Sequence, residues 1–223
     1  MISMPDTVIA LNGASVRAAR GPVFGPLDAA SDSPITVVIG ARGSGRTSLL
    51  LSLSGRMRLS DGSAAVLGAD LATRSGLAET RRRVGVAGFA ELDALEPSVT
   101  VGDTLRERLA WAMPWWRRTP RVTPELSSEL LAEAFGEYEQ PTPKTLVREL
   151  DPASEMLLRI ALARIEGPEM LCIDDFDALL SPTERALVAE RLRELAAHGV
   201  RVVVATSDPS DAALLATTAT IEL

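Results

Sequence analysis

Apolar and polar positions alternate along the chain in short strand-length runs and longer helical repeats. Residues 7–11 and 14–18 carry brief strand-like patterns separated by Asn12-Gly13, a strong turn dipeptide, and Gly21-Pro22 and Gly25-Pro26 punctuate the next stretch. These features predict a small antiparallel lobe. Pro34 then opens the run Ile35-Thr36-Val37-Val38-Ile39, expected as a central strand. Residues 47–53 read as a helix ending near Gly55, Asp61-Gly62 as a turn, 63–67 as a strand closed by Gly68, and 84–88 as a short buried strand. Residues 101–111 (Leu105, Leu109) and 124–138 (Leu126, Leu130, Leu131, Ala134) have helical spacing, and Pro141 and Pro143 end that region. An apolar strand from Glu169 then delivers Asp174 and Asp175, residues 182–197 form an amphipathic helix on Leu187, Val188, Leu192 and Leu195, and 200–205 form the last core strand. The expectation is one α/β domain with an inserted helical lobe.

The chemistry starts where the run at 35–39 stops. Gly40-Ala41-Arg42-Gly43-Ser44-Gly45-Arg46-Thr47-Ser48 lies between a strand and a helix. In that context a glycine-rich loop curls so that its N–H groups point inward at a phosphate, and the helix N-terminus completes the anion site. The stretch fits G-x-x-x-x-G-K-[ST] except that Arg46 stands where lysine is expected. Among 23 Lys and Arg residues only Lys144 is a lysine, so a general preference for arginine accounts for Arg46. Thr47 is expected to offer its hydroxyl to Mg²⁺, and Ser48 to satisfy backbone groups early in the helix. Asp174, delivered by its strand to the sheet edge, is the second half of such a site, holding Mg²⁺ through its water shell. The competing readings are a ligand-free turn for the loop and a helix-capping carboxylate for the aspartate.

Composition narrows the function classes. The 223 residues are 46% hydrophobic and 4% aromatic, enough for one substantial core and too few for two full domains. A formal net charge of −7 argues against a nucleic-acid surface. One cysteine, Cys172, excludes an internal disulfide framework and reads as a small core residue. No stretch approaches 18 continuous apolar residues and the N-terminus has no signal-like pattern, so a cytosolic chain is expected. Arg81-Arg82-Arg83 reads as a solvated helix end, and His198, before Gly199, as a helix cap and not a catalytic base. All three tryptophans fall in Trp111-Ala112-Met113-Pro114-Trp115-Trp116-Arg117-Arg118. They are either a partner-facing surface or the core of the helical lobe.

In this order, the parts resemble the nucleotide-binding domain of an ABC transporter over nearly the whole chain. Residues 159–164 are similar to the helix after the LSGGQ signature, 171–174 to Walker B, and Ser181-Pro182 to the end of the D-loop. The resemblance implies an α/β P-loop NTPase of ABC type. Its RecA-like core would be 35–88 and 151–223, its antiparallel β lobe 1–34 with later strands, and its inserted helical lobe 89–150. It implies ATP and Mg²⁺ as ligands, a permease-type integral-membrane partner, a homodimer or a heterodimer with another ABC subunit, no nucleic acid, and a place at the inner face of the cell membrane. The departures fall on the chemistry: Arg46 takes the Walker A lysine position, Phe89 the Q-loop glutamine, Asp175 the catalytic glutamate, 152–156 the signature and Ser207 the H-switch histidine. Arg17 falls near the A-loop aromatic and would cover adenine by guanidinium stacking. Nucleotide binding is therefore expected to survive better than hydrolysis, with a catalytically inactive scaffold or regulatory protein of the same fold as the alternative. A small P-loop kinase is disfavoured because no acceptor-binding constellation accompanies the loop.

Overall fold

The computed structural model describes residues 7–19 and 21–223. It contains two sheets. The first is antiparallel, with strands β1 (Ile9–Ala18), β2 (Gly21–Ser31), β4 (Asp61–Val66) and β5 (Ala69–Asp70) in the order β2-β1-β4-β5. The second is parallel, with β3 (Ile35–Ile39), β6 (Val84–Ala87), β7 (Met170–Ile173), β8 (Arg201–Thr206) and β9 (Thr220–Glu222) in the order β6-β7-β8-β3-β9.

The strands of the parallel sheet are continuous apolar runs because both of their faces are covered. Side chains alternate between two cores. Val37, Leu171, Ile173, Val202 and Val204 face one, while Val38, Met170, Cys172, Val203 and Ala205 face the other. The first core is closed by α5 (Pro152–Arg164) and α6 (Pro182–Ala197), and by Val101, Leu105, Leu131 and Phe135 from α3 (Val101–Ala112) and α4 (Pro124–Phe135). The second is closed by the antiparallel sheet and by Leu49, Leu50 and Leu53 of α1 (Arg46–Leu53), all fully buried. Burying each such leucine stabilises the fold by about 1.5–3 kcal/mol, so α1, with the loop before it, is clamped between the two sheets.

Thr100, Thr123, Asp151 and Ser181 cap α3, α4, α5 and α6 by accepting a hydrogen bond from the N–H three residues on. The α6 bounds agree with the sequence reading, and His198 is indeed the C-cap, its Nδ1 lying 2.8 Å from the Glu194 carbonyl oxygen. Helix α4 stops at Phe135, short of 138, because Gly136 adopts a φ of 59°.

Two local expectations are corrected and a third is refined. Asn12-Gly13 is not a hairpin turn. Strand β1 runs through it as a bulge, with register shifts against both neighbours, and the Gly13 N–H donates to Asp28 Oδ1 at 2.6 Å. The left-handed glycine that a turn uses also suits a bulge. Asp61-Gly62 likewise belongs to β4, where a Cβ on Gly62 would collide with the Gly13 carbonyl oxygen. The three arginines do form the last turn of α2 (Arg74–Arg83), with Arg81 and Arg82 exposed, and two of them also tie it down: Arg81 Nε donates to the Gly55 carbonyl at 2.6 Å, and Arg83 pairs with Glu169 at 2.7 Å while donating to the Leu67 carbonyl at 2.8 Å. Gly21-Pro22 and Gly25-Pro26 sit within β2, an edge strand, where a missing N–H donor is tolerated.

Candidate nucleotide-binding site

Parallel pairing brings the carboxyl ends of β3, β7 and β8 side by side, with Ile39 opposite Thr206 and Ile173 opposite Val204. Ligands meet open α/β sheets at such an edge. The loop leaves β3 at Gly40, whose N–H donates to the Thr206 carbonyl at 3.2 Å, and turns through a Ser44 N–H to Ala41 carbonyl bond of 3.0 Å. Gly43 and Gly45 have φ of 85° and 97°, the left-handed region that favours glycine. A Cβ on Gly43 would meet nothing within 4 Å, so the space beside it is open. Gly45 caps α1 without any side-chain cap, leaving the first-turn N–H groups of α1 without helical partners. The Ser44 hydroxyl is buried with no hydrogen-bond partner. An orphaned hydroxyl, an open glycine cradle and an uncapped helix start together fit a phosphate group.

Asp174, 3% exposed, follows β7 at the same edge, anchored by its N–H to the Ala87 carbonyl at 2.9 Å. Burial pushes its carboxyl above the usual carboxylate range, partly offset by the Thr47 hydroxyl, while the charge of Asp175 adds to the rise. Among the described residues no three His, Cys, Asp or Glu side chains converge to hold a metal. Thr47 and Asp174 meet through a side-chain hydrogen bond, and their oxygens could hold a Mg²⁺ that takes its remaining ligands from phosphate and water.

Arg46 is 7% exposed and its Nη1 lies 3.5 Å from Asp177 Oδ2. The same Asp177 oxygen accepts from the Ser207 hydroxyl and, at 3.3 Å, from the Ser207 N–H. Partial burial raises the Asp177 carboxyl, but the Ser207 hydrogen bond and the Arg46 charge outweigh it and hold it below the ordinary range. No sequence pattern marks Asp177, because its partners are 131 and 30 residues away. Arg17 is exposed on β1 opposite Pro22. The next residue of β2, Val23, sets its carbonyl oxygen 2.5 Å from where a Gly45 Cβ would be. Arg17 thus stands one strand away from the segment that abuts the loop.

The family model for ABC transporters matches residues 30–178, which includes the loop, Asp174 and Asp177. The chain belongs to the ABC transporter family. It is 29% identical over 198 residues to the Nod factor export ATP-binding protein I of Rhizobium meliloti strain 1021, covering 88% of this chain and 52% of that protein. It is 31% identical over 206 residues to the protein of the same name from Bradyrhizobium sp. strain SNU001, covering 92% and 59%. The chain thus spans about half the length of the curated relatives it matches. Among solved structures, the dimeric post-hydrolysis ATP-binding cassette MJ0796 bound to ADP and Pi superposes with a TM-score of 0.72 at 18% identity, covering 92% of this chain and 90% of that one. Another, cbiO1 from Clostridium perfringens, superposes with a TM-score of 0.71 at 18% identity, covering 91% and 79%. The fold is that of an ABC cassette, an α/β P-loop architecture with an added antiparallel sheet.

The positions that the resemblance sets at family motifs have defined surroundings in this ABC chain. Phe89 is 2% exposed and packs into the same core as the α1 leucines. The loop after it is held by Asp93, which accepts from the Gly88 N–H at 2.8 Å and pairs with Arg159 at 3.3 Å, itself bonded to Glu155 at 2.6 Å. Neither Asp93 nor its bond to Arg159 is legible in the sequence. Asp175 is exposed with a φ of 51°, an αL conformation that aspartate tolerates. Residues 152–156, where the signature would fall, are the first turns of α5, with Pro152 opening the helix and Asp151 capping it. Between β6 and α3 lies a groove of about 430 Å³ lined by Val84, Val86, Leu95, Thr104, Arg108 and Trp111 among others.

Proposed function

We propose that this chain binds ATP with Mg²⁺ and acts as the nucleotide-binding subunit of a membrane transport complex, with little hydrolysis of its own. The observation that carries the reading is the meeting, at one sheet edge, of an open glycine cradle with an orphaned Ser44 hydroxyl and the buried carboxylate of Asp174. Residues 40–48 would hold the phosphates through loop N–H groups, Thr47 and Asp174 would hold Mg²⁺, and Arg17 would cover the base. Bound Mg²⁺ would neutralise phosphate charge at this edge. Arg46 supplies positive charge there only as far as it leaves Asp177, which already offsets it. That pair also favours a second reading, in which the same fold serves as an inactive scaffold.

Calorimetry separates the two. ATP with Mg²⁺ should bind the native chain, and Asp174→Asn should lose the Mg²⁺-dependent part. No heat of binding, either alone or in the native complex, would leave only the scaffold. The pH dependence has a definite sign. Because the folded Asp174 carboxyl lies above its unfolded value, its contribution to stability is full below the unfolded pKa and is lost as pH rises through the folded one. Asp174→Asn should therefore melt higher than the native chain at neutral pH without metal. Protons should also displace Mg²⁺ at a higher pH than at an ordinary aspartate.

The similarity to export ATP-binding proteins supports a permease-type membrane partner, and the dimeric cassette supports pairing with a second ABC subunit. Among the described residues no helix is long and apolar enough to cross a membrane. The position proposed for such a subunit, beside its permease, is peripheral at the membrane's inner face. The groove between β6 and α3 is the docking position proposed for the permease. Trp111→Ala should leave the melting temperature of the isolated chain unchanged, since the residue is 73% exposed, and should weaken co-purification with the membrane partner. Unchanged co-purification would argue against the groove.

A further inference from the structure

Helix α3 ends at Ala112, and the chain then turns at Pro114, where the Arg117 N–H donates to the Pro114 carbonyl at 2.9 Å. Trp115 and Trp116 form the tip of this turn. They are 91% and 70% exposed and contact each other edge to face, with ring centroids 5.8 Å apart. Neither lines the groove that Trp111 lines. Each indole carries ~150–250 Å² of surface, most of which faces water here.

Charge along the chain through the tip is equally one-sided. Between Glu107 and Glu125 there is no acidic residue, while the chain as a whole carries −7. Arg108 is engaged by Glu166, but Arg117, Arg118 and Arg121 are exposed. The basic surface continues into a neighbouring pocket of about 780 Å³, lined by Arg121, Arg106 and Lys144, with Asp103 as the one acidic lining residue. Asp103 is already bonded to the Thr100 hydroxyl at 2.7 Å.

We infer that the 114–118 turn, with Trp115 and Trp116 at its tip and Arg117, Arg118 and Arg121 beside it, is a contact for an anionic phospholipid surface. Indoles partition to the headgroup level of a bilayer, and arginines beside them gain from the negative surface potential. The rest of this acidic chain is repelled by the same surface, so the basic turn fixes orientation as well as contact. The contact is independent of nucleotide: calorimetric ATP binding tests the site at 40–48, and vesicles test this turn.

All three tryptophans of the chain lie in this region, so intrinsic fluorescence reports on it directly. With protein-free vesicles of phosphatidylglycerol and phosphatidylethanolamine, the emission should shift to the blue and the protein should co-sediment. Vesicles of phosphatidylcholine alone should do neither, and raised salt should reverse the binding. Arg117→Gln with Arg118→Gln should weaken binding to anionic vesicles roughly 30-fold. Trp115→Ala with Trp116→Ala should abolish the blue shift without altering the melting temperature. Equal binding to neutral and anionic vesicles would overturn the inference. A blue shift seen only with a detergent-solubilised membrane partner would also overturn it, by assigning the turn to protein.

Discussion

Gly45→Val is expected to unfold the protein at moderate temperature, and Gly43→Val to leave it folded but unable to bind ATP. At Gly45 a Cβ would stand 2.5 Å from the Val23 carbonyl oxygen and 2.8 Å from the Phe24 Cβ, at a φ of 97°. A β-branched residue in that backbone region costs about 1–3 kcal/mol. Pushing β2 away from α1 adds about 1–3 kcal/mol of overpacking, because Leu49, Leu50 and Leu53 behind the loop have no free space to move into. The sum, about 2–6 kcal/mol, is a large share of the ~5–15 kcal/mol that a domain has in all. At about 2–4 °C per kcal/mol for a chain of this size, thermal unfolding should fall by roughly 4–24 °C. Gly43 has the same kind of backbone, with φ at 85°, but open space around its Cβ position. Valine there meets only backbone strain, in a loop whose N–H groups are proposed to receive phosphate. Calorimetry on a folded Gly43→Val protein should show no ATP heat. Native-like binding would mean the loop is not the phosphate cradle, and an unshifted melt for Gly45→Val would mean β2 does not abut it.

Gly45 also shows what the sequence can and cannot reveal. The glycine is legible as part of a phosphate loop, and from that pattern a bulky residue there is expected to act by filling phosphate space. The structure assigns the tighter constraint to β2, through a contact between segments that no local pattern links. The core strands β3, β7 and β8 are readable because burial on both faces makes them unbroken apolar runs. Strands β5 and β9, of two and three residues, are not, since neither is long enough to show a pattern of its own; β5 is recruited by the adjacent β4 and β9 by the distant β3. The turn dipeptide at 12–13 misleads because one backbone conformation serves both turn and bulge. The tryptophans stay undecided in the sequence, since aromatic content does not reveal exposure; the structure removes them from the lobe core, leaving Trp115 and Trp116 on a protruding turn. At the site, the P-loop and Asp174 are visible as motifs. Asp177, which binds both Arg46 and Ser207, is not, because its role exists only after folding brings three separate segments together.

Hydrolysis by the purified chain is expected to stay well below the ~1 s⁻¹ that marks the low end of ordinary enzymes, and Asp175→Glu alone is expected not to raise it to that level. Phe89 is sealed in the core and offers no polar atom to orient water. Asp175 is a methylene shorter than glutamate, and ~1 Å of misplacement of a catalytic group can cost on the order of 10²-fold. Ser207 is a hydroxyl already held by Asp177, so it supplies neither the base nor the donor that an imidazole would. Restoring one of these groups leaves the other two defects in place. Combining Phe89→Gln, Asp175→Glu and Ser207→His should exceed the single variant in turnover while melting lower, since an amide placed in that core costs about 1–3 kcal/mol without a partner. Phosphate release measured on native and variant proteins, each beside its Asp174→Asn counterpart to expose contaminating activity, decides the matter. Native turnover near ~1 s⁻¹ that disappears with Asp174→Asn would show that Asp175 and its neighbours suffice for catalysis.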